Sequence, residues 1–98
     1  MLWAIYCLDT HVGARTEHLP AHRAYLDTKE SVIFFMGPLF NDEGTQIIGS
    51  MFLLNVETRD DAQAFLNDDP LHKAGVFASV TMFRVRKGRF HPEVIKGL

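Results

Sequence analysis

Three stretches of this sequence carry large apolar side chains on consecutive residues, and this feature restricts the fold more than any other. They are LWAIYCL, VIFFM and MFLL. A strand buried on one face alternates apolar and polar residues, whereas a continuously apolar strand is buried on both faces. The chain therefore predicts a sheet that is covered on two sides. Its 47% hydrophobic residues, with eight Phe, exclude a disordered chain.

The apolar stretches alternate with two helical patterns. Strands are predicted over residues 2–8, 32–40, 49–57 and 76–86, with the second strand ended or bent at Gly37-Pro38. Helices are predicted over residues 19–29 and after Thr58, which caps the second helix. This βαββαβ order is typical of the ferredoxin-like α+β fold. Two helices cover only one face of the sheet, so an identical sheet from a second copy is expected on the other face, in a dimeric α+β barrel.

Composition indicates one domain over residues 1–98, with a core over 1–86 and a C-terminal tail over 87–98. The net charge of −2 argues against a nucleic-acid partner. No apolar run approaches the roughly 20 residues that span a bilayer, so no membrane partner is expected. The first ten residues lack the basic start of a signal peptide, and the single Cys7 fits a reducing compartment. We expect a soluble, cytoplasmic protein.

His22 is the first candidate for chemistry. It shares a helical stripe with Leu19 and Leu26 and is therefore expected to face the sheet. One interpretation is a core histidine that binds a backbone carbonyl or a carboxylate. The other is a partly buried imidazole that transfers a proton near neutral pH. The spacing is compatible with both.

Asp69 is the second candidate, in the motif DPLHKAG. Asp at the N-cap followed by Pro at the first helical position is typical of a helix start, and Gly75 suits its end. A carboxylate that binds backbone N–H groups stays ionised and can also orient a histidine. On spacing alone, capping is the better supported role.

Four motifs together resemble the YCII-related (YciI-like) family. They are LPAHRAYL, GPL, GS and DPLHKAG, and the resemblance runs from Met1 to about Arg86. It implies a dimeric ferredoxin-like barrel and a catalytic histidine–aspartate pair at His22 and Asp69. One family member is a dehydrochlorinase, which implies lyase- or isomerase-like proton transfer on a small aromatic or lactone-like molecule.

The resemblance also directs attention to residues around this pair. Ser50 is a candidate hydrogen-bond donor to substrate, and Gly37 and Pro38 are expected to shape the pocket by allowing close backbone approach. The sequence departs from the family at Leu19, where a basic residue is expected. Arg15 or Arg23 is the candidate substitute.

Two other functions stay open. A metal site would use His18 and His22, completed by His72 and Asp69, although Pro20 places His18 outside the helix and no HExxH motif is present. A non-catalytic ligand-binding module would use the same fold. Cys7 lacks a basic neighbour and is expected to be a buried apolar residue. No phosphate-binding loop is found, so no cofactor is expected.

Overall fold

The computed structural model describes all 98 residues as four strands and three α-helices. The strands are β1 (Leu2–Asp9), β2 (Ile33–Phe40), β3 (Ile47–Leu54) and β4 (Phe77–Val85). The helices are α1 (Leu19–Asp27), α2 (Arg59–Asn67) and the single-turn α3 (Pro70–Lys73). Two 3₁₀ turns cover Thr16–His18 and Pro92–Val94.

The four strands form one antiparallel sheet in the order β2-β3-β1-β4. This order places the first and third strands at the centre, as the ferredoxin-like fold requires, so the predicted fold class is confirmed. Cys7 of β1 lies opposite Ser50 of β3, and Pro38 of β2 lies opposite the same Ser50. The register therefore brings these three residues into one row across the sheet.

The face of the sheet that carries the helices holds the core. Trp3, Ile5 and Cys7 alternate along β1 and are buried against Phe52 of β3 and Phe65 of α2. The rings of Phe52 and Phe65 meet edge to face with centroids 5.4 Å apart. The core thus follows the two-residue period of the strands, and α1 and α2 are held against the sheet by it.

The opposite face of the sheet is open within one chain. Its apolar side chains point away from the helices because they alternate with the core residues along each strand. Those at least one-third exposed include Tyr6, Leu8, Phe35, Phe83 and Val85. The helices cover one face, as expected, and the second copy on the other face stays a prediction.

The element ends differ slightly from the sequence-based bounds. Helix α1 ends at Asp27, two residues early, because the Thr28 and Lys29 N–H groups turn back to the carbonyls of Tyr25 and Leu26. Strand β3 begins and ends earlier than predicted, at Ile47 and Leu54. Pro38 neither ends nor breaks β2, which is an edge strand whose outer N–H groups need no partner.

The start of the second helix is capped by Thr58, as the sequence predicts. The Thr58 side chain accepts a hydrogen bond from the Asp61 N–H at 3.0 Å, and the Asp61 carboxylate accepts one from the Thr58 N–H at 3.4 Å. This reciprocal capping fixes the start of α2. None of the helices has the length and apolar character needed to cross a bilayer.

Candidate active site

The imidazole of His22 and the carboxylate of Asp69 meet between α1 and α3. The Nδ1 atom of His22 lies 2.8 Å from Oδ1 of Asp69, although the two residues are 47 positions apart in the chain. Both are buried, with 4% of His22 and none of Asp69 exposed. His22, which is predicted to face the sheet together with Leu19 and Leu26, therefore lies against the carboxylate of Asp69.

Asp69 is fixed by its place at the start of α3. Its Oδ1 accepts the backbone N–H of Leu71 at 2.9 Å, and Pro70 occupies the first helical position. The predicted N-cap is confirmed. Its other oxygen, Oδ2, is fully buried and has no hydrogen-bond partner. The carboxylate therefore uses one oxygen for two bonds and leaves the other oxygen unpaired.

The second ring nitrogen of His22 faces away from this pair. Asp69 Oδ2 is the single fully buried side-chain nitrogen or oxygen without a hydrogen-bond partner. Nε2 of His22 also has no partner in the protein, so it is not fully buried. An ionised carboxylate only accepts hydrogen bonds, so the network assigns the proton of the neutral ring to Nδ1 and the lone pair to Nε2.

A second buried ion pair lies beside the first. Arg15 donates from Nε and Nη2 to the two oxygens of Asp9, at 2.8 and 2.7 Å. Its Nη1 donates to the hydroxyl of Ser50 at 2.9 Å. Arg15 is 5% exposed and Ser50 1% exposed. The fork geometry of this guanidinium fixes it in orientation as well as in position.

A cavity of about 190 Å³ adjoins both pairs. His22, Arg15 and Ser50 line it together, and Pro38 closes it from β2. The other lining residues are Leu19, Arg23, Leu26, Met36 and Ile47. The structure thus brings together His22, Asp69, Ser50, Pro38 and the two candidate arginines, and it adds Asp9 as the partner of Arg15.

Gly37 is the exception among the predicted pocket residues. It does not line the cavity, and no heavy atom lies within 4 Å of a Cβ built on it. The close backbone approach expected there occurs instead at Gly49, where a Cβ would clash with the carbonyl oxygen of Cys7. Gly49 precedes Ser50, so its lack of a side chain lets β3 pair closely with β1 beside the site.

The charged groups of both ion pairs act electrostatically on the thiol of Cys7. Burial raises its pKa to about 12, and the charges of Asp69 and Asp9 act in the same direction while Arg15 opposes them. A thiol that keeps its proton is a weak nucleophile, and Cys7 is fully buried. Cys7 is therefore a core residue, as the sequence predicts.

The histidines do not converge as the metal alternative requires. His18 lies in the turn before α1, where its Nε2 is 3.4 Å from Glu17, and His22 is bonded to Asp69. No three or more His, Cys, Asp or Glu side chains come together in an arrangement that fits a metal ion. His22 is instead held by a single buried carboxylate, that of Asp69.

A larger hollow of about 620 Å³ lies between the tail and the sheet. Phe34 and Phe90, whose ring centroids are 5.9 Å apart, form part of its wall. None of its lining residues is a histidine or a carboxylate. The smaller cavity beside His22 is therefore the better candidate active site, because it combines a buried histidine that is bonded to a carboxylate with neighbouring hydrogen-bond donors.

Comparison with known proteins agrees with this fold. The sequence model of the YCII-related domain matches residues 1–86. A solved structure of 5-chloro-2-hydroxyhydroquinone dehydrochlorinase from Burkholderia phenoliruptrix AC1100, in complex with 2,5-dihydroxybenzoquinone, is 30% identical. It covers 90% of this chain and 96% of its own, with a TM-score of 0.79.

A more distant structure, At3g17210 from Arabidopsis thaliana, is 12% identical and covers 93% of this chain and 99% of its own. Its TM-score of 0.46 is too low to bear on fold or function. No curated protein sequence matches the chain significantly.

Fold and site together define a small ferredoxin-like α+β protein with a buried histidine–carboxylate pair beside a ring-sized cavity. The chain belongs to the YCII-related domain family.

Proposed function

We propose that this protein is a lyase- or isomerase-like enzyme that transfers a proton on a small aromatic or lactone-like molecule without a cofactor. One observation carries the proposal. His22 lines the cavity, its Nδ1 is bonded to a buried carboxylate, and its Nε2 has no hydrogen-bond partner in the protein. This is the arrangement of a general base with an orienting anion behind it.

The reaction would be elimination of a small leaving group. Nε2 takes a proton from the substrate, and the electron pair of the broken bond to hydrogen forms a new π bond. The leaving group departs as an anion with its own bonding pair. Asp69 stabilises the imidazolium, which afterwards returns its proton to solvent or to the leaving group. Loss of a proton and an anion is redox-neutral, so the step needs no oxidant, reductant or cofactor.

The size of the cavity limits the substrate. In another protein a cavity of roughly 150 Å³ holds benzene, whereas pockets for drug-sized ligands begin at about 300 Å³. The cavity of about 190 Å³ beside His22 therefore suits one substituted six-membered ring. The dehydrochlorinase relative, whose bound ligand is a dihydroxylated quinone ring, supports this class of substrate.

We also propose that the active form is a homodimer whose open sheet faces pack together, as the family resemblance implies. Exposed aromatic residues on that face, such as Tyr6 and Phe83, support the proposal. Light scattering on the purified chain tests it, because a monomer at micromolar concentration contradicts it. A cytoplasmic location, with Cys7 kept as a buried free thiol, is part of the same proposal.

The test of function is halide release. We would incubate the protein with a panel of chlorinated hydroxyquinols, including 5-chloro-2-hydroxyhydroquinone, and measure chloride. His22→Asn keeps a donor near the position of Nδ1 and removes Nε2, so kcat should fall by about 10²- to 10⁴-fold. His91→Asn is the matched control, because His91 lies in the tail and its ring is 62% exposed.

The outcomes separate the alternatives. Release that depends on His22 and not on His91 supports the proposal. Ligands that bind to His22-dependent sites without turnover would make the protein a binding module. Release that survives His22→Asn would overturn the proposed base.

A further inference from the structure

The hollow of about 620 Å³ lies on the face of the sheet opposite to His22. Leu53, which lines it, alternates along β3 with two fully buried core residues, so its side chain points away from the helices. Leu2 of β1 and Val85 of β4 also line it, and they pair with each other at the same end of the sheet. None of these three residues lines the cavity beside His22. The two spaces are therefore separate.

The C-terminal tail forms the outer wall of the hollow. Residues 86–90 line it, and the ring centroid of Phe90 lies 5.9 Å from that of Phe34 in β2. Strands β4 and β2 are opposite edges of the sheet, so the tail crosses the end of the sheet to make this contact. Ligand pockets typically measure about 300–1,000 Å³ and are lined mainly by hydrophobic residues. The hollow has this size, and more than half of its lining residues are hydrophobic.

The charged residues that line the hollow are all cations. They are Arg86, Lys87 and Arg89, and all three are exposed. None of them takes part in the four ion pairs of the chain. The chain as a whole carries a net charge of −2, so this positive charge is a local feature of the tail. An apolar hollow with a cationic wall is complementary to an organic anion.

We infer that the hollow is a second ligand site, which binds an aromatic carboxylate. The ring packs against Phe34 and Phe90, because aromatic rings attract one another in offset and edge-to-face contacts. The carboxylate pairs with Arg86 and Arg89, whose planar guanidinium groups match its geometry. The inference goes beyond the proposed function and is independent of it, because it uses no residue of the site around His22.

A second copy of the chain is the competing occupant, since the hollow lies on the sheet face proposed for the dimer. The charges favour the small ligand. Charged residues are depleted at the centres of protein interfaces, and three cations without ion-pair partners would have to lose water there. At the wall of a ligand site, by contrast, the same cations stay partly hydrated and gain a carboxylate.

Two probes of equal shape and different charge test the inference. 2-Naphthoate is an anion and 2-naphthamide is neutral, and both have two fused rings, too many for the cavity of about 190 Å³ beside His22. Calorimetric titration at low ionic strength should show about fivefold tighter binding of naphthoate, a modest ratio because exposed ion pairs are weak. In 1 M sodium chloride, which screens exposed charges, the ratio should fall below twofold.

Charge variants locate the preference. Arg86→Gln with Arg89→Gln should lower the ratio of the two affinities below twofold and leave the binding of naphthamide unchanged. The matched control is Lys73→Gln with Lys96→Gln, which removes the same charge from exposed residues outside the hollow. It should retain the fivefold ratio. Circular dichroism checks that each variant is folded.

A change in the apolar wall should have a different effect. Phe90→Ser removes one of the two rings and should weaken the binding of both probes by at least about threefold, without changing their ratio. Val94→Ser is the matched control, because Val94 lies in the same tail, is 76% exposed and does not line the hollow. Its affinities should equal those of the wild type.

The contrary outcomes are distinct from failure of the proposed function. Equal binding of the two probes, no binding of naphthoate, or a preference that survives the double arginine change overturns the inference. So does loss of naphthoate binding in His22→Asn, which would place the probe in the smaller cavity. If the double arginine change alters the mass measured by light scattering and naphthoate does not bind, the hollow is a contact between copies. Chloride release tests the site around His22 alone, so its absence would leave the second site standing.

Discussion

The two carboxylates behind the cavity are both buried but are bonded in opposite ways. Asp9 places each oxygen against a separate N–H of Arg15, so its charge is fully matched. Asp69 places one oxygen against both His22 and the Leu71 N–H, and its Oδ2 has no partner. The first pair is saturated in the resting protein. In the second pair, the charge of Asp69 is matched by a positive charge only when His22 takes up a proton, as the proposed mechanism requires.

This difference predicts that removing a charge lowers mainly the stability at one pair and mainly the proposed activity at the other. A matched buried pair contributes to stability chiefly because losing one member leaves the other charge buried alone. An incompletely matched carboxylate beside a base contributes instead to the protonated state of that base. Three measurements bear on the comparison.

The largest effect is expected from Arg15→Met. It leaves the Asp9 charge buried without a partner and should lower the free energy of unfolding by about 3–5 kcal/mol. Urea unfolding monitored by circular dichroism measures this. The double change Asp9→Asn with Arg15→Gln is the control and should cost clearly less. If the single change costs no more than the double one, Asp9 is not the saturated partner described here.

The next effect concerns Asp69→Asn. The amide oxygen can still accept the Leu71 N–H, since Asn is as good an N-cap as Asp, but the charge is gone. Turnover of any substrate found in the halide assay should fall by at least about a hundredfold, because the imidazolium loses its stabilising anion. Asp68→Asn is the matched control, one position away and exposed. Equal kcat values for the two variants would remove Asp69 from the mechanism.

The smallest effect is a pH dependence at Cys7, which lies in the field of both carboxylates. Burial raises its pKa from 9.0 to about 12 in the folded protein. Between these values the unfolded chain loses the thiol proton while the folded chain keeps it, so stability falls as pH rises above 9. The loss should be about 1 kcal/mol at pH 10.

Comparison with Cys7→Ala isolates this contribution. Unfolding in urea at pH 8 and pH 10 should show a smaller decline for the variant. Tyr25, whose pKa burial also raises to about 12, contributes with the same sign to both proteins and cancels in the difference. Identical declines for the two proteins would mean that the thiol titrates as in the unfolded chain.

Much of the fold is encoded in local patterns and was therefore predictable. The alternation of apolar strands with two amphipathic helices gives the βαββαβ order, and Thr58 and Asp69 mark helix starts through side chains that act within three residues. The helical period alone predicts that His22 lies on the inner face. The pairing with Asp69 is predicted only by the family resemblance, because no local pattern connects residues 47 positions apart.

The Arg15–Asp9–Ser50 unit was not predictable in the same way. Arg15 lies in an irregular segment where no period indicates which way a side chain points, and the sequence offered it only as a substitute for the basic residue missing at Leu19. Its bond to Ser50 depends on the register that places Ser50 opposite Cys7. The role of Gly49 was also not predictable. Only the strand pairing shows that a backbone carbonyl packs closely against Gly49 and not against Gly37.

Asp69 both caps α3 and binds His22, and this has a consequence for comparing members of this family. A homologue without the proposed catalysis would still gain from a short polar residue at this position, because α3 needs its first turn closed. Finding an aspartate there is thus weak grounds for inferring an enzyme. The informative trait is the joint occurrence of that aspartate with a histidine on the inward stripe of α1, since an imidazole buried at that point adds nothing to helix initiation.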